Sequence, residues 1–357
     1  MKIFYFTPFY PPQGEAAATR NYWFVRTLRE ENQVDVFTSI DAPGVHKLAL
    51  KTASNKAGLI TRLLMEILVG IELFFRILVN GSEIYVFSSP PFFTCFMASL
   101  AVRLKGKKYI ADIRDLYPEV FFEMKLISSN SLPGKILKLM ASTYYHHAHN
   151  IITVTEGLKR YISAYGVSEK IHLIRNGYDD ELFFPGQDSK FSKFSLVFHG
   201  TLGKAQNVET LLKVAQALET QEDIEIIVAG DGPKLKDILD AQRKNIRYLG
   251  ILDYQAIPET LRKCHVGLSF RTDDMIGKEA FPVKVFEYVG CGLPVVLTPR
   301  GEAGDMIEAR NLGKSFENHE IEAICREITQ LKTSAKTYVA SQEFSRKNSS
   351  QQIKTLL

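Results

Sequence analysis

The sequence predicts an α/β protein made of two doubly wound parallel sheets in series, and three observations lead there. The chain has 357 residues, more than one ordinary core holds and suited to two domains of about 150–200 residues. Short apolar runs alternate with longer helical patterns from end to end, the βαβα order of a parallel sheet with helices on both faces. Between two such runs lies Asn176-Gly177-Tyr178-Asp179, then Phe183-Phe184-Pro185-Gly186 and a polar stretch to Lys193. The boundary is therefore expected near 180–192, with one domain over 1–180 and another over 190–335. Ligands of such sheets gather beyond the carboxyl ends of the strands, which makes a cleft between two facing sheets the expected site.

In the first half, strands are expected at 2–6, 34–38, 83–88, 109–113, 151–155 and 171–174. Helices are expected between them at 17–30, 57–79, 92–104 and 134–148. The second half repeats the alternation, with strands at 195–199, 224–229, 246–249, 266–270 and 294–298 and a helix at 208–219. One segment departs from the regular pattern. Residues 57–79 place Arg62, Glu66, Glu72 and Arg76 on one stripe, and the rest of the circumference is apolar. Charges interrupt the run too often for a transmembrane span. Two readings stay open: a helix largely buried in the first domain, or one lying in a membrane surface.

Composition narrows the partners. A net charge of +4 is too small to imply nucleic-acid binding, but residues 1–180 carry 21 Lys/Arg against 16 Asp/Glu. That local excess suits either a solvated surface or attraction to anionic lipid. The four cysteines are scattered without metal-ligand or disulfide spacing, which fits a reducing cytoplasm. The N-terminus lacks the apolar core of a signal peptide and reads as a first strand. His146, His147 and His149 have no carboxylate or cysteine at ligand spacing, so no metal is expected.

The chemistry is carried by loops and helix starts. After the first strand come Pro11-Pro12-Gln13-Gly14 and a run of alanines, where Gly14 lets a ligand approach the backbone at a helix N-terminus. The second half opens likewise with His199-Gly200-Thr201-Leu202-Gly203-Lys204, where Lys204 offers a point charge to a diphosphate. This is not a P-loop, which requires GxxxxGK[ST]. Gly230-Asp231-Gly232-Pro233 follows as a strand-to-helix turn. Most informative is 279–296, in which Glu279 precedes a short helix bearing Lys284 and Glu287. Two carboxylates at that spacing can point into one cleft and accept from sugar and ribose hydroxyls, with Lys284 able to meet phosphate; spacing alone equally allows a solvated surface pair.

Taken in order, these segments resemble the retaining glycosyltransferases of family 4, whose fold is GT-B. The resemblance runs from Pro11–Ala17 through 176–179 and 230–233 to the E-x7-E element at Glu279 and Glu287. Ser88-Ser89-Pro90-Pro91 and Asp112-Ile113-Arg114-Asp115-Leu116-Tyr117-Pro118-Glu119 further resemble a subgroup working on bacterial surface polysaccharides, commonly at the inner face of the cytoplasmic membrane. The resemblance implies a nucleotide-sugar donor, UDP-sugar favoured, and a glycan or polyprenyl-diphosphate-linked acceptor, with neither cofactor nor metal. It implies Glu287 on the donor ribose, Glu279 on the transferred sugar, and backbone at Phe281, Pro282 and Val283 with Lys204 and Lys284 at the diphosphate. Gly14, Gly200, Thr201, Gly230 and Arg271 complete the donor side. Asp112, Arg114 and Asp115 form the acceptor side, with Glu279, Asp115 and Lys204 closest to the chemistry. Residues 336–357 are expected to include a helix, about 336–354, crossing back to the first domain.

The sequence departs from the family at three places. Thr201 stands where an Arg is common, Pro282 where Gly is common, and Tyr117 where the subgroup has Trp; Arg271 is the candidate to replace the missing cation. Two alternatives are a catalytically silent GT-B subunit that binds a partner or membrane, and a nucleotide-sugar epimerase on the same scaffold using His199 or His265.

Overall fold

A computed structural model describes every residue except 13–15, 52–57, 124, 335–337, 340 and 341. Gly14 therefore lies outside the described residues. Internal contacts divide the chain into one unit of Met1–Arg175 with Ser350–Leu357 and another of Asn176–Ser349. The division falls a few residues before the expected 180–192. Tyr178 explains this, because its side chain is buried in the second unit's core.

The first unit holds seven strands: β1 (Lys2–Phe6), β2 (Gln33–Thr38), β3 (His46–Lys47), β4 (Ile84–Ser89), β5 (Lys108–Ile113), β6 (Asn150–Thr153) and β7 (Ile171–Leu173). They form one parallel sheet in the order β3-β2-β1-β4-β5-β6-β7. Alternate residues serve opposite faces, as the two-residue strand period requires. Phe4, Phe6, Tyr85 and Phe87 join helices Leu59–Val79, Phe92–Leu104 and Leu132–His147 in one core. Ile3, Tyr5, Ile84 and Val86 join helix Ala16–Arg29 in the other, together with Ile353 and Leu356. Thr27 and Ser350 share a 2.7 Å hydroxyl hydrogen bond there. Toward the C-terminus, the α-helix among the described residues is only Arg346–Gln351, flanked by 3-10 turns at Gln342–Phe344 and Gln352–Leu356.

The second unit holds β8 (Phe194–His199), β9 (Ile224–Ala229), β10 (Ile246–Tyr248), β11 (Val266–Phe270), β12 (Val295–Thr298) and β13 (Gly313–Ser315). Its parallel order is β10-β9-β8-β11-β12-β13. Strand order reverses between β1 and β4 in the first sheet and between β8 and β11 in the second. These switch points are where doubly wound sheets bind ligands.

Helix Leu59–Val79 is not largely buried, since Ile60, Leu64, Leu68, Ile71 and Phe75 are exposed. Its two glutamates nevertheless make contacts within the first unit. Glu72 accepts the backbone N–H groups of Ala49 (2.9 Å) and Leu50 (3.0 Å) and pairs with Arg76 at 2.8 Å. Glu66 accepts from the Phe93 N–H at 3.3 Å, and burial pushes its carboxyl up to about 7. Gly70 lets the helix close on its neighbour, since a β-carbon there would come 2.9 Å from the Met97 side chain. Among the described residues no helix is long and apolar enough to cross a membrane.

Candidate functional site

At the second unit's switch point, β8 runs into Gly200, whose φ of +106° suits glycine. Gly230 ends β9 at φ +131°, and a β-carbon there would collide with the Gly200 carbonyl. Hydrogen bonds from Gly200 N–H to the Ala229 carbonyl (2.9 Å) and from Leu202 N–H to the Asp231 carbonyl (2.9 Å) fasten the two loops together. Beside them opens a cavity of about 280 Å³ lined by His199, Gly200, Thr201, Gly230, Asp231 and Ile251. The loop after β8 also meets the loop after β11 through a bridge between Gln206 and Arg271.

Helix Val283–Gly290 packs against this edge and buries two charged side chains, Lys284 and Glu287, the latter only 5% exposed. Lys284 donates to Gln206 Oε1 at 3.2 Å and lies 4.4 Å from the centre of the Phe198 ring. Burial, reinforced by the Arg271 charge, lowers its pKa to about 7. Burial raises Glu287 to about 7, against the opposing pull of Arg346, Lys284 and a Tyr254 hydrogen bond. His199, 4% exposed, places Nε2 3.4 Å from Glu287 Oε2. That approach is not an ion pair, because burial and Lys284 push the imidazole down to about 3 and keep it neutral. Neither ring nitrogen makes a hydrogen bond among the described residues, and neither does the buried Arg271 Nε. Buried polar atoms without partners are rare in folded proteins. Those of His199 and Arg271 lie together at the carboxyl edge of this sheet, while others are scattered through both units.

The expected donor residues divide accordingly. Gly200, Thr201 and Gly230 line the cavity, and Lys284 and Glu287 form the charged centre beside it. Lys204 is exposed. Phe281 gives its ring to the core, stacking on Phe286 at 4.2 Å, which leaves only its backbone for a ligand. Pro282 is the N-cap residue of the Lys284 helix, so the first free N–H groups of that helix belong to Val283 and Lys284. Glu279 ends a short helix, Met275–Glu279, where a loop was expected, and is half-buried. Asp274 caps that helix by accepting the Gly277 N–H at 2.6 Å. His199, Gln206 and Tyr254 were missing from the expected donor set; a histidine closing an apolar strand carries no local signal of its role.

The acceptor-side expectation needs a correction. Asp112 is fully buried and lines no surface. It pairs with Arg20 at 2.8 Å and accepts from Ser88 Oγ at 3.2 Å, while Arg20 also donates to the Arg175 carbonyl at 3.2 Å. The aspartate is the penultimate residue of β5, where every residue from Tyr109 to Ile113 is buried. Arg114 is half-buried, with its guanidinium 5.4 Å from the Phe9 ring and Nη2 3.4 Å from the Pro90 carbonyl. Asp115 is open to solvent, yet crowding by neighbouring atoms raises its pKa, with Arg114 drawing it back. Among the described residues no group of three His, Cys, Asp or Glu side chains is placed to hold a metal ion. His146 and His147 instead direct Nδ1 at carbonyls of their own helix, 2.8 Å away.

Comparison with known proteins agrees with this fold. Residues 17–182 match the family described as Glycosyltransferase Family 4, and residues 179–348 match Glycosyl transferases group 1. A probable glycosyltransferase of Pseudomonas aeruginosa, WbjE, is 21% identical over 247 residues, which span 63% of this chain and 60% of that protein. Sucrose-phosphate synthase of Thermosynechococcus elongatus has the same fold, with a TM-score of 0.75 at 13% identity over 100% of this chain and 98% of that one. So has the Anabaena protein HepE (Alr3699), solved in complex with UDP, with a TM-score of 0.74 at 15% identity over 99% of each chain. The fold is GT-B.

Proposed function

We propose that this chain, which carries a glycosyltransferase family 4 domain followed by a group 1 domain, moves a sugar from a UDP-sugar to a glycan or polyprenyl-diphosphate-linked acceptor. The observation that carries the reading is the buried Lys284–Glu287–His199 cluster beside an open cavity at the second sheet's switch point. HepE, with the same fold, has been solved with UDP, which supports that nucleotide here.

In this reading Glu287 accepts from the ribose hydroxyls. Lys284, Lys204, Arg271 and the N–H groups opening helix Val283–Gly290 hold the diphosphate. These groups stabilise the charge that develops on the leaving diphosphate, the task a metal ion performs elsewhere. Glu279 orients the transferred sugar, and Arg114 and Asp115 face the acceptor. The anomeric carbon–oxygen bond to the diphosphate breaks while the acceptor oxygen bonds to the same face of that carbon. The acceptor proton passes to a diphosphate oxygen, so configuration is retained. The product serves bacterial surface polysaccharide assembly, with the protein peripheral at the cytoplasmic face of the membrane.

The test is the melting temperature of the purified protein with UDP, GDP or ADP, with and without EDTA. UDP is expected to stabilise by mass action, unaffected by EDTA, and Glu287→Ala to weaken UDP binding at least tenfold. If no nucleotide shifts the melt, a silent GT-B subunit explains the chain better.

A further inference from the structure

The cations assigned to the diphosphate sit on segments of the second unit that are tied to one another. The backbone of Gln206, in the loop after β8, bridges that of Arg271, which follows β11. Asn207 N–H donates to the Phe270 carbonyl at 3.0 Å and Thr272 N–H to the Ala205 carbonyl at 3.2 Å, one bond on each side of that bridge. Arg271 N–H donates in turn to the Thr298 carbonyl, at the end of β12, at 2.9 Å. Gln206 Oε1 accepts from Lys284 Nζ at 3.2 Å, so Lys284 and Arg271 both depend on how these loops are held.

Asn318 closes this arrangement from a half-buried turn between β13 and helix Ile321–Thr333. Its Nδ2 donates to the Arg271 carbonyl at 2.9 Å. Its Oδ1 accepts from Thr298 Oγ1 at 2.5 Å and from Thr210 Oγ1 at 3.2 Å. Both threonines are buried, and Thr210 stands in the first turn of helix Val208–Leu218, directly after the loop of Lys204 and Gln206. One side chain therefore joins the segments that follow β8, β11 and β12. Only an amide accepts from hydroxyls and donates to a carbonyl within one planar group; a carboxylate could not donate, and an apolar residue could do neither. Arg271 is thereby fixed through its N–H by Thr298 and through its carbonyl by Asn318, while its buried Nε has no partner among the described residues.

We propose that Asn318 is a positioning residue for the donor's diphosphate. It acts through Arg271, whose backbone it holds, and through Thr210, which anchors the loop of Lys204 and Gln206. Cations fixed in advance stabilise a developing charge more than mobile ones, because nothing has to reorganise as the charge appears. Among the described residues Asn318 makes no hydrogen bond to helix Val283–Gly290, which bears Glu287. Its effect is therefore confined to the phosphate end of the donor and spares the nucleoside end. The proposal rests on the donor-site reading and adds to it a residue that the site's own loops do not contain.

The experiment compares binding isotherms of the full chain and its variants for UDP and for uridine, which has the nucleoside without the phosphates. Asn318→Ala is expected to raise the Kd for UDP about tenfold and that for uridine less than about twofold. Arg271→Ala should show the same pattern. In its background Asn318→Ala should add less than about threefold, the non-additivity of two residues that act as one unit. Thr298→Val keeps the amide and removes one of its anchors, so it should show a UDP-only loss of about threefold, and it carries the comparison if Asn318→Ala does not fold. Equal losses for UDP and uridine, or full additivity with Arg271→Ala, overturn the proposal and make Asn318 a residue of the fold alone. If the unsubstituted chain binds neither UDP nor uridine, the donor-site reading fails and this proposal falls with it. If it binds UDP and Asn318→Ala binds it equally well, only this proposal falls.

Discussion

Each unit buries charge at the carboxyl edge of its sheet, but the two burials differ in how completely they are satisfied. In the first unit Asp112 is enclosed by Arg20 and Ser88, and Arg20 reaches the Arg175 carbonyl as well. In the second, Lys284 and Glu287 are both displaced toward a pKa of about 7, and His199 has two ring nitrogens without hydrogen bonds. A closed set of partners holds a fold together. An open set is costly in the empty protein and is repaid when a ligand supplies the missing partners. The contrast separates a structural ion pair from a binding site although the residue types are alike.

Three substitutions test that contrast. The largest effect is expected from Asp112→Ala, which leaves Arg20 buried without its counter-charge. Unfolding free energy, read from urea denaturation, should fall by about 3–5 kcal/mol. A loss under about 1 kcal/mol would mean that the first unit's pair is not the closed set described here.

Next comes Lys284→Met, which removes a charged donor worth about 1.5–3 kcal/mol to a bound diphosphate. It should also change the pH dependence of UDP binding. Glu287 accepts ribose hydroxyls as a carboxylate, so affinity should fall as pH drops below about 7. Lys284 holds phosphate as a cation, so affinity should fall as pH rises above about 7. Binding isotherms across that range should give a bell, and Lys284→Met should abolish its alkaline limb. An unaltered bell would remove Lys284 from the donor site.

The smallest effect on the fold is expected at His199. Phenylalanine fills similar space without unpaired nitrogens, so His199→Phe should change unfolding free energy by no more than about 1 kcal/mol, most naturally as a gain. UDP affinity should nevertheless drop about tenfold. A large destabilisation with unchanged affinity would make His199 a structural residue like Asp112.

Much of this was legible before the structure. The alternation of Ile3 and Tyr5 with Phe4 and Phe6 already assigns two faces to β1, and both cores follow it. Glu287 and Lys284 could be picked out because they share a short helix after a recognisable loop. Asp112 could not be read correctly, because the Arg20 that encloses it lies 92 residues away and leaves no trace in the neighbouring sequence. His199 was weighed only for the epimerase alternative and left out of the donor set for the same reason, its surroundings resting on Glu287 and Lys284 from a distant helix. The alternation of β1 to β13 and the glycines at 200 and 230 are local properties, set by strand period and by the backbone freedom those turns require. They determined fold class, domain order and the loops that would carry chemistry. Tertiary structure alone decided which side of helix Leu59–Val79 meets solvent, which aspartate is sealed, and which charges remain unsatisfied. Burial and charge pairing depend on groups distant in the chain, and side-chain periodicity reports only that two faces exist, not which one the rest of the protein will cover.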